Sequence, residues 1–125
     1  MAEQAGVIQR VTAFWFAEPD APGSGQARPI WFEEDPAFDK EVRARFTRDL
    51  ERAAAGELDR LTATPEGCLA LVILLDQFPR NAFRDTPRAF ETDAKARKVA
   101  NSALARDFDR RLTPVQRQFL YMPFQ

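Results

Sequence analysis

Thr64-Pro65-Glu66-Gly67-Cys68-Leu69-Ala70-Leu71-Val72-Ile73-Leu74-Leu75-Asp76-Gln77-Phe78 is the stretch on which the fold turns. Its centre, Cys68 to Leu75, is an unbroken apolar run, and a run of that length is as compatible with a buried strand as with a buried helix. Local features decide for helix. Thr64 directly before Pro65 is a helix start, because the cap oxygen accepts from free first-turn amides and proline at the first position loses no bond. Only Val72 and Ile73 in the run are β-branched, and continuation into Asp76-Gln77-Phe78 makes the segment long for a strand. A helix apolar on all sides is the central one of its domain. Pro79 predicts its end at Phe78, since the residue before a proline resists helical geometry.

Working outward, Asp35-Pro36 opens a second helix over residues 36 to 55. Phe38, Val42, Phe46, Leu50 and Ala53 trace its apolar stripe, and Gly56 supplies the stop. Glu41, Arg45, Arg48, Asp49 and Arg52 fall on the face assigned to solvent, with Glu41 and Arg45 at the favourable i, i+4 spacing. A first helix is predicted over residues 4 to 16, with Val7, Ile8, Val11, Phe14 and Trp15 on one face. The proline- and glycine-rich residues 18 to 29 form a loop, its far end pinned to the core by Trp31 and Phe32. Downstream, Thr86-Pro87 opens a turn, and a helix from Thr92 to Arg106 directs Ala96, Val99, Ala100, Ala103 and Leu104 inward. A last helix starts at Thr113-Pro114, where Gln116 completes a capping box, and carries Val115, Phe119, Leu120, Tyr121 and Met122. No strand-like alternation appears, and the Trp, Gly and Tyr signature of tetratricopeptide repeats is missing. The expectation is a single all-α domain, residues 1 to 125, of about five helices.

The 125 residues suffice for one domain burying roughly two-thirds of its unfolded surface. With 11 phenylalanines its core should be aromatic, so Phe14-Trp15-Phe16 and Trp31-Phe32 read as packing rather than as a stacking platform for a ligand. Eighteen basic residues against 19 acidic ones leave no net field to draw nucleic acid or an anionic membrane. The start Met1-Ala2-Glu3-Gln4 has no signal-peptide pattern, and the apolar run is too short to span a bilayer, so the expected location is cytoplasmic. Cys68 is the single cysteine and no histidine is present, which excludes internal disulfides, Ser-His-Asp triads, Cys-His dyads and histidine metal sites within this sequence. No catalytic residue, cofactor or metal is expected, and Cys68 among apolar neighbours reads as core packing.

One polar constellation follows directly on the apolar run: Asp76, Gln77, Arg80, Asn81 and Arg84, with Arg88, Asp93 and Arg97 beyond. Unpaired polar atoms in the last turn of a buried helix cost about 1–3 kcal/mol each, so something must satisfy them. In one reading, Asp76 accepts from an arginine and locks two helices together. In the other, Arg80, Arg84 and Arg88 face a cleft that takes a phosphate or carboxylate, with Asp76 as orienter or general base.

The strings Phe14-Trp15-Phe16, Trp31-Phe32 with Phe38-Asp39, Leu74-Leu75-Asp76-Gln77-Phe78-Pro79-Arg80-Asn81, Phe90 with Asp93-Ala94, and Phe119-Leu120-Tyr121-Met122-Pro123-Phe124 together resemble the bacterial domain-of-unknown-function family 924. The resemblance implies packed antiparallel helical hairpins in a tetratricopeptide-like arrangement, and it implies no activity. The family's characteristic residues map onto Asp76, Gln77, Arg80, Asn81 and Asp93. Family members usually continue past this last string into a His-Ser-Glu motif and further helices, so the chain reads as the N-terminal part of the usual length. That shortness would uncover Phe119, Tyr121, Met122 and Phe124 and favour a homo-oligomer through the last helix. The expected function is a non-catalytic helical interaction or structural domain that self-associates. The alternative is a protein binding a small anionic molecule, or a hydrolase-like enzyme, using Asp76, Arg80 and Arg84.

Overall fold

In the computed structural model, which describes residues 2–17 and 25–124, helices form at Ala2–Phe16 (α1), Pro36–Ala54 (α2), Pro65–Val72 (α3), Phe78–Ala82 (α4), Asp93–Ala105 (α5) and Pro114–Tyr121 (α6). Short 3-10 turns join several of them, and no strand occurs among the described residues. The caps are those the sequence dictates. Asp35 accepts from the amides of Ala37 and Phe38, Thr64 from Gly67, and Thr113 with Gln116 closes a reciprocal capping box. Gly56 takes a left-handed φ of 88° just beyond α2, a conformation that favours glycine. Residues 18–24 of the expected loop lie outside the described residues.

The central helix does not stop at Phe78. Between α3 and α4 the chain makes one wide π turn, Ile73–Gln77, in which the Phe78 amide donates to the Ile73 carbonyl five residues back. Pro79 has no N–H, so the Leu75 carbonyl four residues earlier loses its regular donor. The Thr92 hydroxyl donates to that carbonyl instead, at 2.6 Å. With the wide turn relieving the crowding and a side chain supplying the lost bond, the rod continues through Pro79 to Ala82.

Every residue from Gly67 to Asp76 is buried. Gly67 is required there, because a Cβ at this position would lie 1.8 Å from the Leu61 carbonyl oxygen of the preceding turn. Around this rod, α2 contributes Val42, Phe46, Leu50 and Ala53, α1 contributes Val7, Val11 and Trp15, and α5 contributes Ala96, Val99, Ala100 and Ala103. Leu104 is only half-buried. An aromatic cluster closes one end. Phe46 meets Phe78 at 4.7 Å between ring centroids, Trp31 meets Phe119 at 4.9 Å, and Trp15 lies between Phe78 and Phe119.

Three expectations about the surface need correction. Trp31 pins the loop as expected, its indole N–H donating to the Trp15 carbonyl at 2.9 Å, and Arg28 reinforces it by donating to Phe14 and Trp15 carbonyls. Phe32, by contrast, is 67% exposed and only edges onto Trp31. Asp49, expected on the solvent face of α2, is buried instead, because Arg10 of α1 grips both its oxygens at 2.6 and 3.3 Å. On α6 and the turn after it, Phe119, expected to be uncovered, is buried in the core with Leu120, because Trp15, Phe16 and Trp31 pack around it; Met122 is half-buried, while Tyr121 and Phe124 are exposed. Among the described residues no helix is long and apolar enough to cross a membrane.

Replacing Thr92 by Val should leave the Leu75 carbonyl buried without a donor and cost about 1–3 kcal/mol in urea unfolding. Thr92→Ser, which keeps the hydroxyl, should recover most of that loss.

Candidate functional site

The polar residues that follow the π turn are carried on α4 and the turn after it, and they divide between two neighbours. Towards α5, the Arg80 guanidinium donates to Asp76 Oδ1 at 2.9 Å and to Asp93 Oδ2 at 3.1 Å, and it also reaches the Asp76 carbonyl. One planar cation therefore ties the central rod to the first turn of α5, the fork geometry for which arginine is suited. Gln77 donates its amide to Asp76 Oδ2 at 2.7 Å and to the Met122 sulfur at 3.4 Å, extending the network to the segment after α6. Phe90 lies over the Arg80 guanidinium at 5.2 Å, a cation–π contact on the solvent side.

Towards α2, the partner is a residue absent from the expected set. Asp39 accepts from Arg84 Nε at 2.7 Å and Nη2 at 3.1 Å, and from Asn81 Nδ2 at 2.9 Å. Glu34 stands 3.5 Å from a further Arg84 nitrogen, and Arg43 donates to the Ala82 carbonyl at 3.0 Å. These groups line a cleft of about 480 Å³. The six expected site residues are thus not one constellation. Asp76, Gln77, Arg80 and Asp93 meet on one side of the rod, whereas Asn81 and Arg84 turn to the other, away from Asp76. Arg88 stacks on Phe83 at 3.8 Å and faces Glu91, and Arg97 is exposed on α5.

The two acids differ in how their charge is supported. Burial pushes the Asp76 carboxyl up; the Arg80 charge and the Gln77 hydrogen bond recover only part of this, and the neighbouring Asp93 adds to the rise. Burial also pushes Asp39 up, but the hydrogen bonds from Arg84 and Asn81 and the charges of Arg84 and Arg43 outweigh it and hold the carboxyl below the usual range. Asp93 Oδ1 is buried with no hydrogen-bond partner among the described residues. Cys68 is packed in the core, its thiol pushed up by burial against a smaller pull from Arg106, the opposite of an activated nucleophile. Among the described residues no group of three or more His, Cys, Asp or Glu is arranged to hold a metal ion. The chemistry in view is that of two charge-assisted clamps fastening the central rod to α2 and to α5.

The fold has a counterpart among known proteins. The family model described as "Bacterial protein of unknown function (DUF924)" matches residues 11–125, and the chain belongs to that family. A solved protein of unknown function from Agrobacterium tumefaciens is similar to it, with 38% sequence identity and a TM-score of 0.84 over 97% of this chain and 64% of that one. The chain therefore spans 64% of that relative's length. No curated protein matches it.

The opposite shifts of the two acids give opposite pH signatures. A carboxylate held below its unfolded value near 4 contributes stability that is complete above that pH and fades as pH falls through the lower folded value. Asp39→Asn should accordingly cost about 1.5–3 kcal/mol at pH 7, the range for hydrogen bonds to a charged group, and progressively less in acid. For Asp76 the sign reverses, because a raised folded value favours the native state below it and works against it as pH rises from about 4. The penalty of Asp76→Asn should therefore be smaller at pH 7 than at pH 4. Urea midpoints of both variants across that window check the pair.

Proposed function

We propose that this family member is a non-catalytic helical domain, tetratricopeptide-like in its packing, that works by contact and associates with a second copy of itself. The observation that carries the reading is that the polar turn is consumed from within. Arg80 is taken by Asp76 and Asp93, Arg84 by Asp39, and Asn81 by Asp39, at 2.7 to 3.1 Å. An incoming anion would have to displace a carboxylate from each arginine, and Arg80 and Arg84 do not converge on one ligand.

Contact is supported at the end of the molecule formed by α6. Phe32 edges onto Trp31, Trp31 packs on Phe119 of α6, and Tyr121 and Phe124 follow on the same segment. Phe32, Tyr121 and Phe124 are 67%, 37% and 44% exposed, and aromatic side chains are enriched at protein interfaces. Most soluble oligomers are symmetric dimers in which one patch faces its own copy.

Sedimentation velocity at micromolar concentration should show a dimer that Tyr121→Ser with Phe124→Ser converts to monomer without loss of helicity. A soluble monomer at every concentration overturns the proposal.

A further inference from the structure

A second cleft, separate from the polar turn, opens between α1 and α2 with a volume of about 540 Å³. Its apolar wall is Phe14 and Phe38, stacked at 5.0 Å with 26° between their planes and both half-buried. Arg10, Arg28 and Arg45 stand around these rings, with Glu41 as the acid among the lining residues.

The three guanidiniums are not equivalent. Arg10 is held by the buried Asp49, which neutralises it. Arg45 pairs with Glu41 at 3.0 Å while lying 4.9 Å from the Phe14 centroid, and both members of the pair are about half-exposed. Such a half-exposed surface pair contributes little, so it yields readily to a better-placed anion. Arg28 is bound differently, by backbone carbonyls. One of its terminal nitrogens donates to the Phe14 and Trp15 carbonyls at 2.9 and 2.8 Å, and no carboxylate among the described residues pairs with it. The cleft therefore combines a fixed guanidinium with no carboxylate partner among the described residues, a second one released at little cost, and a half-buried aromatic wall.

We propose that this cleft binds a small aromatic carboxylate. The carboxylate takes the free edge of the Arg28 guanidinium and draws Arg45 from Glu41, while the ring lies against Phe14 and Phe38. Charge alone would admit any anion; the aromatic wall selects one with a flat apolar body. The lining is mostly polar and charged, with Ala13, Phe14 and Phe38 as its apolar part, so charge holds the ligand and the two rings select its flat body.

The test titrates the full chain with benzoate and, separately, with inorganic phosphate, following amide chemical shifts. Benzoate should give saturable shifts confined to residues around Phe14, Arg28, Phe38 and Arg45, and phosphate should bind more weakly. Arg45→Gln, a half-exposed position, should fold normally and weaken benzoate by about ten- to a hundredfold, the loss of one charge-assisted contact. Lys98→Gln, remote from the cleft, should leave binding unchanged. Shifts that fail to saturate, that scatter over the surface arginines, or that survive Arg45→Gln unweakened overturn the site. Phosphate binding as well as benzoate overturns its aromatic character.

Discussion

A proline inside the most buried helix is the constraint from which the polar architecture follows. Pro79 deprives the Leu75 carbonyl of its regular donor in a region where water does not reach, and Thr92 supplies a hydroxyl from the start of α5. That single bond fixes where α5 begins against the rod. Asp93, the next residue, is thereby placed within reach of Arg80, and the carboxylate–guanidinium–carboxylate bridge forms on the residue directly after the proline. The hydroxyl bond and the ion bridge act on adjacent residues of α5, so the helix is located by two contacts of different kinds, one of them insensitive to salt and pH.

The second clamp works on the opposite face and with different energetics. Asp39 accepts three hydrogen bonds from two side chains while Arg84 remains partly solvated, which keeps the carboxylate charged at modest desolvation cost. Asp76 is more deeply enclosed and shares its arginine with a second acid, so its charge is held under tension. One rod thus carries a clamp favouring neutral pH and another that acid relieves.

Caps were the most legible part of the fold, because Asp35, Thr64 and Thr113 before prolines act within three residues and need no tertiary knowledge. The end of the central rod was not legible. The proline rule holds for a helix that must satisfy its own carbonyls, and here another helix did so. The candidate site was half legible. Asp76, Gln77, Arg80 and Asp93 lie close in sequence and do meet, but Asn81 and Arg84 are answered by Asp39, more than forty residues upstream. A signal for Asp39 was nevertheless present. Asp39, Val42, Phe46, Asp49 and Ala53 recur at alternating intervals of three and four, which places two carboxylates in register with the buried face of α2. Asp49 stands among charged neighbours on α2, which masks that register by residue type; both acids are buried, one held by Arg84 and the other by Arg10.

The wide turn at Ile73–Gln77 has a further consequence for everything beyond it. Inserting one residue into a helix advances the phase of all later side chains by about 100° relative to the uninterrupted wheel. The directions in which Arg80, Asn81 and Arg84 point are therefore set by a slip in winding made upstream of them, inside the apolar run. The chain uses that slip as a coupling between two gear trains: the buried stretch meshes with α5 and α1 in one phase, and the polar stretch meshes with Asp39 and Asp93 in another.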